Sequence, residues 1–173
     1  MSRTRPLLRD RRGTAAVEFA LLAPVLIALV IGGTDVSSAV LASLQVTNAA
    51  ADVSELVAAQ NSVDASAIAN FCQAAQLDMT PLAAAPLQVG IASVTQGAGG
   101  PAVDWQSGCG GASSVANATS LASGLIPRTG DSVIIVHATY QLTLPAPLIL
   151  PSTITLTQTS MYRPRNNTTV TFN

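Results

Sequence analysis

Few residues in this sequence are of types and at spacings that do chemistry. Glu18 is a single carboxylate inside the apolar stretch 14–33. A charge in an apolar segment of that length is costly and calls for a partner. Gly13 and Thr14 stand just ahead of it. A cut between them would create a cationic α-amine on Thr14, four residues before the carboxylate. That amine, from a neighbouring copy, could pair with Glu18 in a low-dielectric setting. Cys72 and Cys109 lie 37 positions apart. In an oxidising compartment they could bond, closing a loop at a stabilisation of ~3–4 kcal/mol. Two unpaired thiols are the other reading, because Cys72 falls on an apolar helix face.

The remaining candidates read as structure. His137 is the sole histidine. A general base is conceivable there, but no Ser-x-Gly elbow or paired carboxylate cluster accompanies it, so a packed strand histidine is expected. Two Cys and one distant His do not make a zinc spacing. Gly97–Gly100 and Gly108–Gly111 lack the Lys-Ser/Thr that follows a phosphate loop and read as turns. Trp105 reads as a domain anchor. Asn117-Ala118-Thr119 and Asn167-Thr168-Thr169 match the glycosylation pattern, which recurs by chance. The expectation is no enzyme, no cofactor and no metal.

The elements that must position these groups begin with composition. In 173 residues, 49% are hydrophobic but only 3% aromatic, and 10% are charged. So apolar a chain is not a disordered one. It has no Lys and a net charge of −1, which excludes a basic nucleic-acid-binding surface. Five of eight Arg (Arg3, Arg5, Arg9, Arg11 and Arg12) sit in the first twelve residues. The apolar stretch that follows, as a helix, roughly matches a bilayer core. The positive-inside rule then keeps the basic end in the cytoplasm and puts everything after Gly33 outside. Three readings compete. A cleaved secretory signal fits the basic and apolar regions, but its small-x-small site is poor, with Ser37-Ser38-Ala39 nearest. An uncleaved anchor is the plainest. A cut after Gly13 is the reading that explains Glu18.

The string Arg12-Gly13-Thr14-Ala15-Ala16-Val17-Glu18-Phe19-Ala20-Leu21-Leu22-Ala23-Pro24 resembles the TadE/TadG-like family of Tad (Flp) pilus assembly proteins. Members commonly read R-x-G-x-x-A-V-E-F-A-L-x-x-P there. The resemblance is dense over residues 11–33, and Phe19 and Pro24 make it specific. It implies a class IV prepilin N-terminus: a basic leader, a cut after Gly13 by prepilin peptidase, and Glu18 at the fifth mature position as the assembly or register carboxylate. Pro24 also has a physical reading, since it removes a backbone donor and kinks a helix. A weaker resemblance recurs at Trp105, Gly110-Gly111, Gly130–Ile135 with Tyr140, and Met161–Arg165. The von Willebrand type A domain of longer TadG-like members has no room here.

Beyond the apolar segment, Val36, Val40 and Leu44, then Val53, Leu56 and Val57, continue a helical pattern to about Ala59. Residues 64–79 predict a second helix with Ile68, Phe71, Cys72, Ala75 and Met79 on one face, capped by Ser62 or Asp64 and ended by Pro81. Period-two patterns predict strands at 87–94, 102–106, 132–142 and 153–162, the last with Thr on a solvated face. Residues 107–130 read mostly as loop, with a short apolar piece at 121–126. Pro145, Pro147 and Pro151 punctuate the link between the last two strands, and the tail 166–173 frays or adds an edge.

The fold class is therefore α+β: a long hydrophobic N-terminal helix, transmembrane and continuing as a spine, with a small antiparallel sheet head, pilin-like. The expected organisation is 1–13 leader, 14–33 transmembrane helix, 34–60 helical extension and 61–173 extracytoplasmic head. The resemblance implies a pseudopilin or minor pilin-like protein of the bacterial inner membrane. Its implied partners are membrane lipid, prepilin peptidase, other pilin subunits and inner-membrane assembly proteins. Loss of the leader would leave three Arg against eight acids, a side-chain charge of −5. The alternative is a signal-anchored binding or enzymatic domain unrelated to pili, which would need polar residues converging on a pocket in the head.

Overall fold

A computed structural model describes residues 13–144, 147, 150–165 and 168–173. The five Arg of the expected leader, Pro145 and Asn167 lie outside the described residues. Helix α1 (Thr14–Ala58, 45 residues) runs through Pro24 and Gly32-Gly33 without a break. Its length is about 68 Å, twice the roughly 30 Å of a bilayer core. Such a helix must meet two environments.

The chain divides into two compact units: Met1–Ser38 with Leu144–Ser152, and Ala39–Thr143 with Thr153–Asn173. In the first, α1 is exposed or half-exposed from Gly13 to Ile31, and its first buried residues are Gly32 and Asp35. The amide of Leu144 donates to the carbonyl of Ser152 (2.9 Å), joining the ends of the other segment.

In the second unit α1 is sided. Ala42, Val46, Ala49, Ala50, Val53 and Val57 are fully buried at steps of three and four, as a core-facing stripe requires. After β1 (Ser62–Val63), α2 (Ala65–Asp78) starts at Asp64, whose carboxylate accepts from the Ala67 amide (2.7 Å) and the Ser66 hydroxyl (2.8 Å). These two donors hold its carboxyl below the usual carboxylate range. Strands β2 (Leu87–Gly97), β3 (Gly100–Cys109), β4 (Ser132–Thr143) and β5 (Thr153–Tyr162) form an antiparallel sheet in the order β3-β2-β4-β5. The short α3 (Ala118–Ala122) links β3 to β4. Strand β6 (Thr171–Phe172) pairs in parallel with β1 in a separate two-stranded sheet.

The β2–β4 register sorts the side chains. Val89, Ile91 and Ser93 share a face with Ile134, Val136 and Ala138. Ser54 of α1 reaches this face and shares a 2.8 Å hydrogen bond with Ser160 of β5. Ala92, Val94, Val133 and Ile135 form the other face, covered by Val115, Ala118, Ala122 and Ile126 around α3. On β5 the residues alternate exposed and half-buried from Thr153 to Gln158, with Thr153, Thr155 and Thr157 outward, as the sequence pattern predicts.

Four expectations need correction. The strand predicted at 102–106 extends to Gly100–Cys109, absorbing three residues of the expected loop, because pairing with Val89, Gly90 and Ile91 overrides the weak strand propensity of Ser107 and Gly108. Residues 118–122, expected as loop, are helical. Ser62, one of the two caps expected for α2, begins a strand whose partner lies in the tail. Phe71, expected on the buried face of α2, is half-buried.

Gly108 is where close packing dictates residue type. A Cβ there would collide with the carbonyl oxygens of Val89 and Ala112, whereas one at Gly99 meets open space. Gly108→Ala should lower stability by on the order of 1–3 kcal/mol, and Gly99→Ala should leave it near wild type, both read from denaturant unfolding of the full chain.

Candidate functional site

The N-terminal motif lies wholly on the first turns of α1. Gly13 immediately precedes the helix and is exposed. It has no positive φ, and nothing lies within 4 Å of where its Cβ would be. The fold therefore places no demand for glycine at this position. Thr14 and Glu18 stand one helical turn apart, so their side chains share a face. Among the described residues Glu18 makes no ion pair. Phe19, 67% exposed, turns its ring outward with Val17, Leu21 and Leu22. Pro24 sits inside the continuous helix. Its missing donor frees a carbonyl that membrane helices tolerate better than soluble ones, since neighbouring groups can satisfy it. Gly13, Thr14, Glu18 and Phe19 are thus all exposed.

Cys72 on α2 and Cys109 at the end of β3 are disulfide-bonded, with Cα atoms 6.3 Å apart. The bond holds α2 against the sheet edge just ahead of the turn at Gly110 and Gly111, both at positive φ.

The other residues singled out in the sequence are structural. Trp105 Nε1 donates to the Val170 carbonyl (2.7 Å), and its ring lies 5.5 Å from that of Phe172. It pins the C-terminal strand to the sheet. The His137 ring shares a 2.9 Å hydrogen bond with the Thr159 hydroxyl across the β4–β5 pair. No group of three metal-ligating side chains occurs among the described residues.

A groove of about 360 Å³ between α1 and α2, which the sequence gives no local sign of, is lined by Asp52, Glu55, Leu56, Ala59, Ala74 and Asp78. Burial raises the Asp78 carboxyl above its usual range, and the Asp52 carboxylate beside it adds to the shift. Its Oδ2 is buried without a hydrogen-bond partner. Glu55 is engaged by the Arg165 guanidinium at 2.5 Å. Three acids on two helices, 26 positions apart at the extremes, carry no spacing signature in the sequence.

The chain is thus an α+β protein led by one helix long and apolar enough to cross a membrane. Residues 13–54 match the sequence model of the family described as TadE-like protein. This is the family resembled by residues 11–33, and the match opens at Gly13 and follows α1 to Ser54. The weaker resemblance at Trp105 and in the tail lies outside the matched residues. No curated protein and no solved structure matches the chain.

Two outcomes are expected from the head. Replacing Cys72 and Cys109 by Ser should cost ~3–4 kcal/mol in the loop-entropy model, read as a lower denaturant midpoint. A carboxyl whose folded pKa is raised binds more protons folded than unfolded, so its contribution is lost as pH rises from its ordinary value of 3.8 through the folded pKa. Asp78→Asn should therefore be more stable than wild type at neutral pH. It should also lose part of the fall in melting temperature seen between about pH 3 and about pH 7.

Proposed function

We propose that this chain is a membrane-anchored pseudopilin-like subunit of a Tad-type pilus assembly system, cut after Gly13 by a prepilin peptidase. The TadE-like family implies association with Tad pilus assembly. The observation that carries the finer reading is the exposed surface of Gly13, Thr14 and Glu18 at the start of an apolar helix. Glycine there answers no steric need of the fold, and the carboxylate has no partner among the described residues. Recognition by a peptidase accounts for the first. Pairing of Glu18 with the new Thr14 amine of an adjacent subunit accounts for the second, because each charge cancels the other's cost in a low-dielectric medium.

In this reading residues 14–33 cross the inner membrane once. The Arg-rich start lies in the cytoplasm and the head outside, where a disulfide can form. The head supplies interaction surface rather than catalysis. Its partners are membrane lipid, the peptidase, other pilin subunits and assembly proteins of the same membrane.

Mass spectrometry of the protein from its native membrane should find Thr14 as the first residue; an intact Met1, or a start beyond Ala39, overturns the mechanism. Glu18→Ala should still be cut but should assemble poorly. Normal assembly of that variant would remove the pairing from the account.

A further inference from the structure

The segment between β4 and β5 has no role in the account so far. It reads Leu144-Pro145-Ala146-Pro147-Leu148-Ile149-Leu150-Pro151-Ser152, with no charged residue and no polar side chain before Ser152. Its ends are joined by the Leu144–Ser152 hydrogen bond. It does not group with the sheet whose strands it links. Its described residues, 144, 147 and 150–152, group instead with the first part of α1, as far as Ser38, in a helix apolar enough to cross a membrane. Within that unit Leu144 is buried, whereas Pro147 and Pro151 are exposed and Leu150 is half-exposed.

Apolar side chains exposed beside a lipid-facing helix are unfavourable in water and favourable at the acyl boundary of a bilayer. Irregular backbone is normally excluded from the hydrocarbon because each unpaired amide is costly there. Proline carries no amide hydrogen. Pro145, Pro147 and Pro151 therefore remove three donors from this nine-residue segment, and the Leu144–Ser152 bond occupies a fourth. What is left suits the interfacial zone rather than the bilayer centre.

We infer that the β4–β5 connection is a second membrane contact, a tip that sets Pro147, Leu150 and Pro151 in the interface of the leaflet where α1 emerges. The inference rests on the reading that α1 spans the bilayer. It commits to lipid as the occupant because the tip is continuous, within one unit, with the helix surface that lipid covers.

The test places single added Trp residues in the full chain reconstituted in phosphatidylglycerol–phosphatidylcholine vesicles. The lipids are brominated either near the headgroup or near the chain ends, and native Trp105 supplies the background read in wild type. Leu150→Trp is expected to lose fluorescence to the shallow bromines, Leu22→Trp to the deep ones, and Ala98→Trp, in the β2–β3 turn, to neither beyond wild type. Pro147→Trp repeats the tip measurement should Leu150→Trp fold poorly, judged by its disulfide and its melting temperature. Quenching at Leu22 with none at either tip position overturns the tip and leaves the anchor standing. No quenching at Leu22 overturns the spanning helix and the tip with it. Equal quenching at Ala98 and Leu150 also overturns the tip, since the contact would not be local.

Discussion

The rest of the structure depends on how α1 changes character along its length, from a segment apolar enough to cross a membrane to one sided toward the sheet. As far as Ile31 its side chains point outward all round, with Val17, Phe19, Leu22 and Ile27 exposed on different sides of the axis. From Ala42 onward the burial narrows to a stripe of Ala and Val. Alanine at Ala42, Ala49 and Ala50 brings the helix axis close to what it covers, and Val46, Val53 and Val57 fill the space between. The 2.8 Å Ser54–Ser160 hydrogen bond ties this stripe directly to β5.

The head is closed mainly by contacts distant in sequence. Trp105 reaches Val170, Ser132 donates to the Thr168 carbonyl, and the Arg165 amide donates to the Ala58 carbonyl. The two residues of β6 pair with β1, four residues past the end of α1. Each contact satisfies a backbone carbonyl or amide that would otherwise have to find water. Gln45 is a partial exception: its amide donates to the Thr80 carbonyl, but its Oε1 is buried without a partner.

The legible part of this fold was the part that local periodicity encodes. The apolar run, the caps and faces of α2, and the alternation of β2, β4 and β5 follow from period and propensity, and the N-terminal motif follows from residues adjacent in the chain. What could not be read depends on residues far apart. The extension of β3 through Gly108 needs the β2 backbone beside it, and the strand at Ser62–Val63 needs Thr171–Phe172. The Asp52–Asp78 groove needs two helices to converge. In each case the residues are individually ordinary, and only tertiary neighbours give them meaning. Cys72 and Cys109 stand between these cases: the residues announced a bond, but two thiols alone left the pairing open.

The disulfide also decides how far this molecule can be stretched. A pull along the chain that tears the sheet apart cannot lengthen the segment from Cys72 to Cys109, because the covalent bridge short-circuits it. At full extension those 37 residues would contribute about 120–130 Å of contour. The bridged head forgoes that slack, and tension entering at α2 passes directly to the end of β3, leaving the β2–β3 hairpin outside the load path.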